Sequence, residues 1–264
     1  MLLLVDVGNT QTELGVYDDV RTGGSYVAKW RLSTVPHQTA DDLISRIMPL
    51  FANGDVDSGD ISEVALACVV PSLTISWQHL TKKLLGVEAI LCSMETVGGT
   101  GLFETDYPNP HEIGSDRIAD AIAARSLYGG SCVVIDFGTA TNIEVLDGKG
   151  RFAGGIIAPG LMTGANALFS NAAQIHAISL SEPESVIGKS TMQALQSGVI
   201  YGEVGRVDGL LDRIFDELGC ECKVVVTGGL CHTVSRLLRH DTEVRPELTL
   251  DGLRILAGSL KGRE

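Results

Sequence analysis

The chain has 264 residues, enough for a substantial core in one large domain or two small ones. A hydrophobic fraction of 44% with 20% charged residues sets disorder aside. The net charge of −13 argues against nucleic acid or an anionic membrane as a partner, since both need a basic surface.

Apolar runs predict strands at residues 2–5, 14–17 and 26–32. A helix is predicted over 39–51, opened by Thr39 as N-cap with Asp41 and Asp42 in its first turn. Strands at 64–70 and 89–92 flank a predicted helix at 76–85. The order is that of an α/β chain with a mixed sheet. A loop rich in glycine and proline runs from Gly98 to Pro110. It leads to a helix beginning at Gly114-Ser115-Asp116-Arg117, in which Ser115 is the expected N-cap. The strand series then restarts at Val133, with 152–157 as its third strand. Helices are expected at 162–173, 192–218, 233–238 and 253–260, with a buried strand at 224–226. The domain boundary is placed near residue 114, giving domains 1–114 and 115–264.

No apolar stretch approaches the length of a membrane span. The first five residues are too short for a secretion signal and run straight into Asp6, so a cytoplasmic protein is expected. The six cysteines contain no C-x-x-C pair, which makes a zinc site a weak prospect. Cys132 reads as core, and His111 and His176 as surface or loop residues. There is no Walker A sequence: Gly188-Lys189-Ser190 imitates its end, but Pro183 stands where the upstream glycine belongs.

One pattern occurs twice. Asp6-Val7-Gly8-Asn9-Thr10 and Asp136-Phe137-Gly138-Thr139-Ala140 each follow an apolar run and precede another strand. Each reads as a β-hairpin with a carboxylate and a polar tip, and two such tips could grip an anion and its counter-cation. The plain alternative is a pair of turn-initiating aspartates. For Asp116 and Arg117, spacing alone favours helix capping and a surface ion pair. The helix dipole would also hold Asp116 ionised and make it a weak base. Thr227-Gly228-Gly229 reads as a tight strand-to-helix turn.

Taken together, these segments resemble type III pantothenate kinase. They are Asp6-Val7-Gly8-Asn9-Thr10, then Tyr107 through Arg117, Asp136-Phe137-Gly138-Thr139-Ala140-Thr141, Gly154 through Gly160, Val186 through Thr191, and Thr227-Gly228-Gly229. The resemblance implies two duplicated ribonuclease-H-like domains of the actin-like ATPase kind, with mixed sheets and ATP in an interdomain cleft. It implies transfer of the ATP γ-phosphoryl group to the primary hydroxyl of pantothenate, the first step towards coenzyme A. By position, Asp116 matches the proton acceptor. Asp6, Val7, Gly8, Asn9, Thr10, Gln11, Thr12 and Glu13 match the ATP-phosphate loop, with Thr139, Gly228 and Gly229 as further ATP contacts. Tyr107, Gly114, Ser115, Asp116, Arg117 and Thr191 match pantothenate-binding positions. Asp136 matches a monovalent-cation ligand, and Asp6 a Mg2+ site through phosphate. The implied cofactors are Mg2+ with ATP and K+ or NH4+, and the implied assembly is a homodimer. Ser115 stands where alanine is usual and Pro108 where Asp is frequent. His176 stands where proline is frequent. Asn142 and the longer Glu144 replace a commoner Thr and Asp, which alters the expected cation shell. Two rival functions are a non-catalytic accessory factor of transcription from the same family and a phosphotransferase acting on a sugar or acetate.

Overall fold

A computed structural model of the chain describes residues 1–18, 24–170 and 182–261. The chain divides into two compact units, Met1–Leu127 with Leu248–Glu264, and Tyr128–Glu247.

In unit 1, β1 (Leu2–Val7), β2 (Gln11–Tyr17), β3 (Tyr26–Ser33), β4 (Glu63–Cys68) and β5 (Ala89–Leu91) form one sheet in the order β3-β2-β1-β4-β5. The first three strands are antiparallel, while β4 and β5 run parallel to β1. Side chains alternate across a strand, so Leu3, Val5 and Val7 share one face. They pack with Leu43, Ile47 and Phe51 of α1 (Ala40–Asn53) and Leu73 and Trp77 of α2 (Pro71–Leu80). Thr39 caps α1 as expected, in a capping box with Asp42. Asp6 lies on the opposite face with Leu2 and Leu4. The final helix of the chain packs against β1 and β4.

Unit 2 repeats the plan. β6 (Cys132–Phe137), β7 (Ala140–Leu146), β8 (Phe152–Pro159), β9 (Lys223–Thr227) and β10 (Thr242–Val244) take the order β10-β9-β6-β7-β8, matching unit 1 strand for strand. Val133, Ile135 and Phe137 pack against Val204, Val207 and Leu211 of the long helix Thr191–Leu218. The α/β class with two duplicated mixed sheets is thus present.

Some elements differ from expectation. α2 begins at Pro71, not at residue 76, and ends in a π-helical turn, Thr81–Leu85. Proline at a first helical position costs no backbone bond, so Pro71 starts the helix as well as ending the strand run. A short helix, α3 (Met94–Val97), and strand β10 were not anticipated. α4 (Ser115–Tyr128) lies almost wholly in unit 1. After α5 (Leu161–Ser170), α6 (Thr191–Leu218) and α7 (Cys231–Ser235), the last helix α8 (Leu248–Lys261) returns to unit 1. The observed division therefore differs from a boundary near residue 114. Residues 171–173 of the helix expected at 162–173, and His176, lie outside the described residues. Among the described residues no helix is long and apolar enough to cross a membrane.

Candidate active site

The β1–β2 turn is built by backbone and threonines. The Gly8 N–H donates to Gln11 O at 3.0 Å. Thr34, just past β3, donates its hydroxyl to Gly8 O at 2.8 Å, lies 2.9 Å from the Thr12 hydroxyl, and donates its N–H to Thr10 O at 2.9 Å. Asn9, Thr10 and Gln11 are exposed at the tip, while Val7 and Thr12 are buried. Glu13 forms an ion pair with Arg31 of β3. Of the eight residues of the expected ATP-phosphate loop, the structure places Gly8 through Gln11 at an accessible turn. Val7, Thr12 and Glu13 stand behind it as support.

Asp116 reaches the same end of the sheet. Asp6 pairs with Ala67 in the β1–β4 ladder, and the next residue of β4, Cys68, donates its N–H to Ser115 Oγ at 2.8 Å. Ser115 is therefore a tie between α4 and β4, not the N-cap. The cap position falls to Gly114, whose carbonyl accepts the first helical bond from Ile118 N–H at 3.0 Å. A Cβ at Gly114 would lie 2.5 Å from Asp116 Oδ1, so the carboxylate folds back over a glycine that no other residue could replace without movement. Burial pushes the Asp116 carboxyl above the usual carboxylate range, against the lowering influence of the Arg117 N–H (2.8 Å) and guanidinium. Desolvation thus outweighs the helix terminus, and Asp116 is a better base than its position in the sequence implies. Beneath it, burial and then the charges of Asp116, Asp6 and Asp120 push the Cys92 thiol up. Asp6 and Asp116 are thereby brought into one acidic neighbourhood of unit 1. Tyr107 is exposed in the preceding loop, its N–H bonded to Thr105 Oγ1 at 3.0 Å. His111 is exposed and paired with Glu95 at 3.1 Å.

In unit 2, Asp136 of β6 stands opposite Asn142 of β7 and Thr227 of β9. Gly228 has φ +85°, and a Cβ there would overlap Asp136 Oδ1 and lie 2.8 Å from the backbone of Phe137. The turn after Thr227 thus closes on the carboxylate because Gly228 lacks a side chain. The Gly138–Ala140 turn is pinned from behind, with Thr139 O accepting from Gly160 N–H (3.1 Å) and Thr163 Oγ1 (2.6 Å). Thr139 itself is exposed. Glu144 is fully buried, two residues beyond Asn142 on the same side of β7. Thr191 is exposed in the first turn of α6, which Ser190 caps by accepting from Gln193 N–H at 3.2 Å.

No group of three or more His, Cys, Asp or Glu able to hold a metal occurs among the described residues. A cation near Asp6 or Asp136 would need backbone, amide, water or phosphate oxygens as well, which suits hard ions such as Mg2+ and K+. Two contributors escaped the sequence reasoning. Thr34 has only its place after a strand to signal it. Asp120 is the one charged residue in the otherwise small and apolar stretch 118–124 of α4, which was a usable clue.

A family model described as type III pantothenate kinase matches residues 2–213. A type III pantothenate kinase of Roseiflexus sp. (strain RS-1) is 42% identical over 256 residues, covering 97% of this chain and 98% of its own. A solved structure from Campylobacter jejuni, described as a Baf family transcriptional activator, gives a TM-score of 0.59 at 20% identity over 98% of this chain and 99% of its own. Another from Sinorhizobium meliloti, described as a 2-dehydro-3-deoxygalactonokinase, gives 0.57 at 13% identity over 99% and 96%. The two structures speak for the fold alone.

Proposed function

We propose a residue-level account of catalysis from one premise: the chain belongs to the type III pantothenate kinase family. As a member it is an ATP-dependent kinase that phosphorylates pantothenate on the way to coenzyme A. Asp116 accepts or orients the proton of the attacking hydroxyl. The observation that carries this role is the place of the carboxylate, half-buried at the start of α4 and raised in pKa, with Ser115 tying that helix end to the sheet end that also carries Asp6. Phosphoryl transfer needs little covalent help from the protein, so positioning and charge neutralisation supply most of the rate.

The Gly8–Gln11 turn and Thr139 hold the ATP phosphates, and Gly228 and Gly229 lie on the nucleotide side. Tyr107, Gly114, Ser115, Arg117 and Thr191 bind pantothenate. Asp6 holds Mg2+ through phosphate, and Asp136 with Asn142 holds K+ or NH4+. These cations, when bound, neutralise charge on the transferring group. Domain limits of 1–127 with 248–261, and 128–247, are the division we adopt.

A homodimer is supported by unit 2. Ile157, Met162, Val186 and Ile187 are exposed apolar residues. Gly198, Gly202, Gly205 and Gly209 line one face of α6, where an added Cβ would meet nothing within 4 Å. The accessory-factor alternative is not favoured, because Asp6, Asp116, Asp136 and Thr191 are all present and the charge of −13 opposes DNA contact.

The test is phosphorylation of pantothenate by ATP, with and without K+, for the wild type and Asp116→Asn. Phosphopantothenate formed by the wild type and lost in the variant is the expected result. Full turnover by Asp116→Asn would remove Asp116 from the mechanism.

A further inference from the structure

One turn of α4 beyond Asp116 stands Asp120, only 2% exposed. Its Oδ1 accepts a hydrogen bond from Thr249 Oγ1 of α8 at 2.7 Å, across 129 residues of sequence. Beside this bond the two helix backbones touch. A Cβ at Gly252 would overlap Ala119 O and lie 2.5 Å from its carbonyl carbon. α8 is itself anchored to the sheet of unit 1. Tyr26 donates to Asp251 Oδ1 at 3.1 Å, the Arg254 guanidinium lies 5.1 Å from the Tyr17 ring centroid, and Lys261 pairs with Glu63 of β4. Leu250, Leu253, Leu256 and Ala257 bury its inner face.

We propose that Thr249, through Asp120, and Gly252, through the backbone at Ala119, are positioning residues for Asp116. This rests on the proposed role of Asp116. A helix is stiff along its axis, so two ties fix where its first turn sits. The Cys68 N–H to Ser115 bond holds the front of α4, and the α8 contact sets its depth and rotation one turn behind. An error of about 1 Å in the placement of a reacting group can cost about 10²-fold in rate. The family model ends at residue 213, so this support comes from a segment beyond the matched region.

The test measures kcat, KM for ATP and Tm on the full chain for four variants. Thr249→Val keeps the shape and removes the donor; Thr249→Ala serves the same comparison should Thr249→Val not fold. Thr249→Ser keeps the hydroxyl. Lys261→Ala loosens the far end of α8 without touching α4. The expected result is a fall in kcat of about tenfold for Thr249→Val, corresponding to a shift of a fraction of an ångström, with KM for ATP unchanged. Thr249→Ser should restore wild-type kcat, and Lys261→Ala should lower Tm at wild-type kcat. Wild-type kcat in Thr249→Val, or an equal loss in Lys261→Ala, would overturn the proposal. Asp116→Asn separates the two ideas. If it is inactive while Thr249→Val is fully active, only the positioning claim falls; if it is fully active, the role of Asp116 falls first.

Discussion

The two units share a strand order but finish the loop after their fourth strand differently. In unit 1 the chain leaves β4 as Cys68-Val69-Val70, and Val69 N–H donates to Val7 O at 3.0 Å. In unit 2 it leaves β9 as Gly228-Gly229-Leu230, and Leu230 N–H donates to Phe137 O at 3.3 Å. The acceptors are equivalent, but the donor in unit 2 comes one residue later, counted from the strand residue opposite the aspartate, Ala67 or Thr227, and the side chains differ. Glycine lets the second loop close on Asp136. The first instead offers Cys68 N–H to Ser115 and so recruits α4 and Asp116 beside Asp6. Duplication supplied two similar frames, and the loop residues decide which frame gathers α4 with Asp116 and which closes on its own aspartate.

The largest break comes from the side that carries α4. Asp116→Asn should lower kcat by about 10²–10⁴-fold. It should also raise Tm at neutral pH. Because burial raises the folded pKa above the ordinary 3.8, the folded state keeps a proton that the unfolded state has lost. Wild-type stability therefore falls as pH climbs through that window, a cost that asparagine escapes. The Tm difference between variant and wild type should grow as pH rises from about 4.

Next is the glycine turn. Gly228→Ala should destabilise by about 1–2 kcal/mol for the left-handed backbone alone, before overlap with Asp136 is counted, and should weaken activation by K+. Denaturant melts and K+ titrations check both. In unit 1 the matching support is a side chain. Thr34→Val removes the donor to Gly8 O and the contact with Thr12, at a cost of about 1–3 kcal/mol, and should raise KM for ATP with little change in K+ activation.

The smallest effect concerns the short edge strands. β10 is held by ions: Glu243 bonds Lys223 at 2.9 Å and Arg245 at 2.8 Å. Lys223 first, with Tyr128 and Arg245, lowers the Glu243 carboxyl from 4.5 to about 2. A depressed folded pKa contributes stability above 4.5 that is lost as pH falls towards 2. β5, by contrast, is Ala89-Ile90-Leu91. Hydrogen exchange between pH 5 and 3 should loosen β10 ahead of β5, and Glu243→Gln should erase that difference.

Sequence reasoning reached the frame because β1 and β6 are buried on both faces and read as unbroken apolar runs, while β3 alternates buried and exposed positions. It missed β10, whose three residues are Thr, Glu and Val at a half-buried edge. It misread Ser115 as a cap because a hydroxyl before an acidic turn is ordinary capping chemistry, and the competing partner, Cys68 N–H, is 47 residues away. The return of α8 to unit 1 was illegible for the same reason, since Gly252 matters through its contact with Ala119. Asp6 and Asp136 were legible as chemistry because a carboxylate after an apolar run is costly to bury, and Asp116 became so only through the family resemblance, since its spacing alone favours helix capping. The raised pKa of Asp116 was not, because desolvation depends on what packs around the group.

In the proposed mechanism the two duplicated aspartates do different work, Asp6 at the ATP phosphates and Asp136 at a monovalent cation. The direct measurement is initial rate against K+ at fixed Mg-ATP for wild type, Asp6→Asn and Asp136→Asn. Asp136→Asn should shift or abolish the K+ activation curve. Asp6→Asn should keep its midpoint while losing rate and Mg-ATP affinity. A K+ midpoint that moves in Asp6→Asn and stays fixed in Asp136→Asn would contradict it.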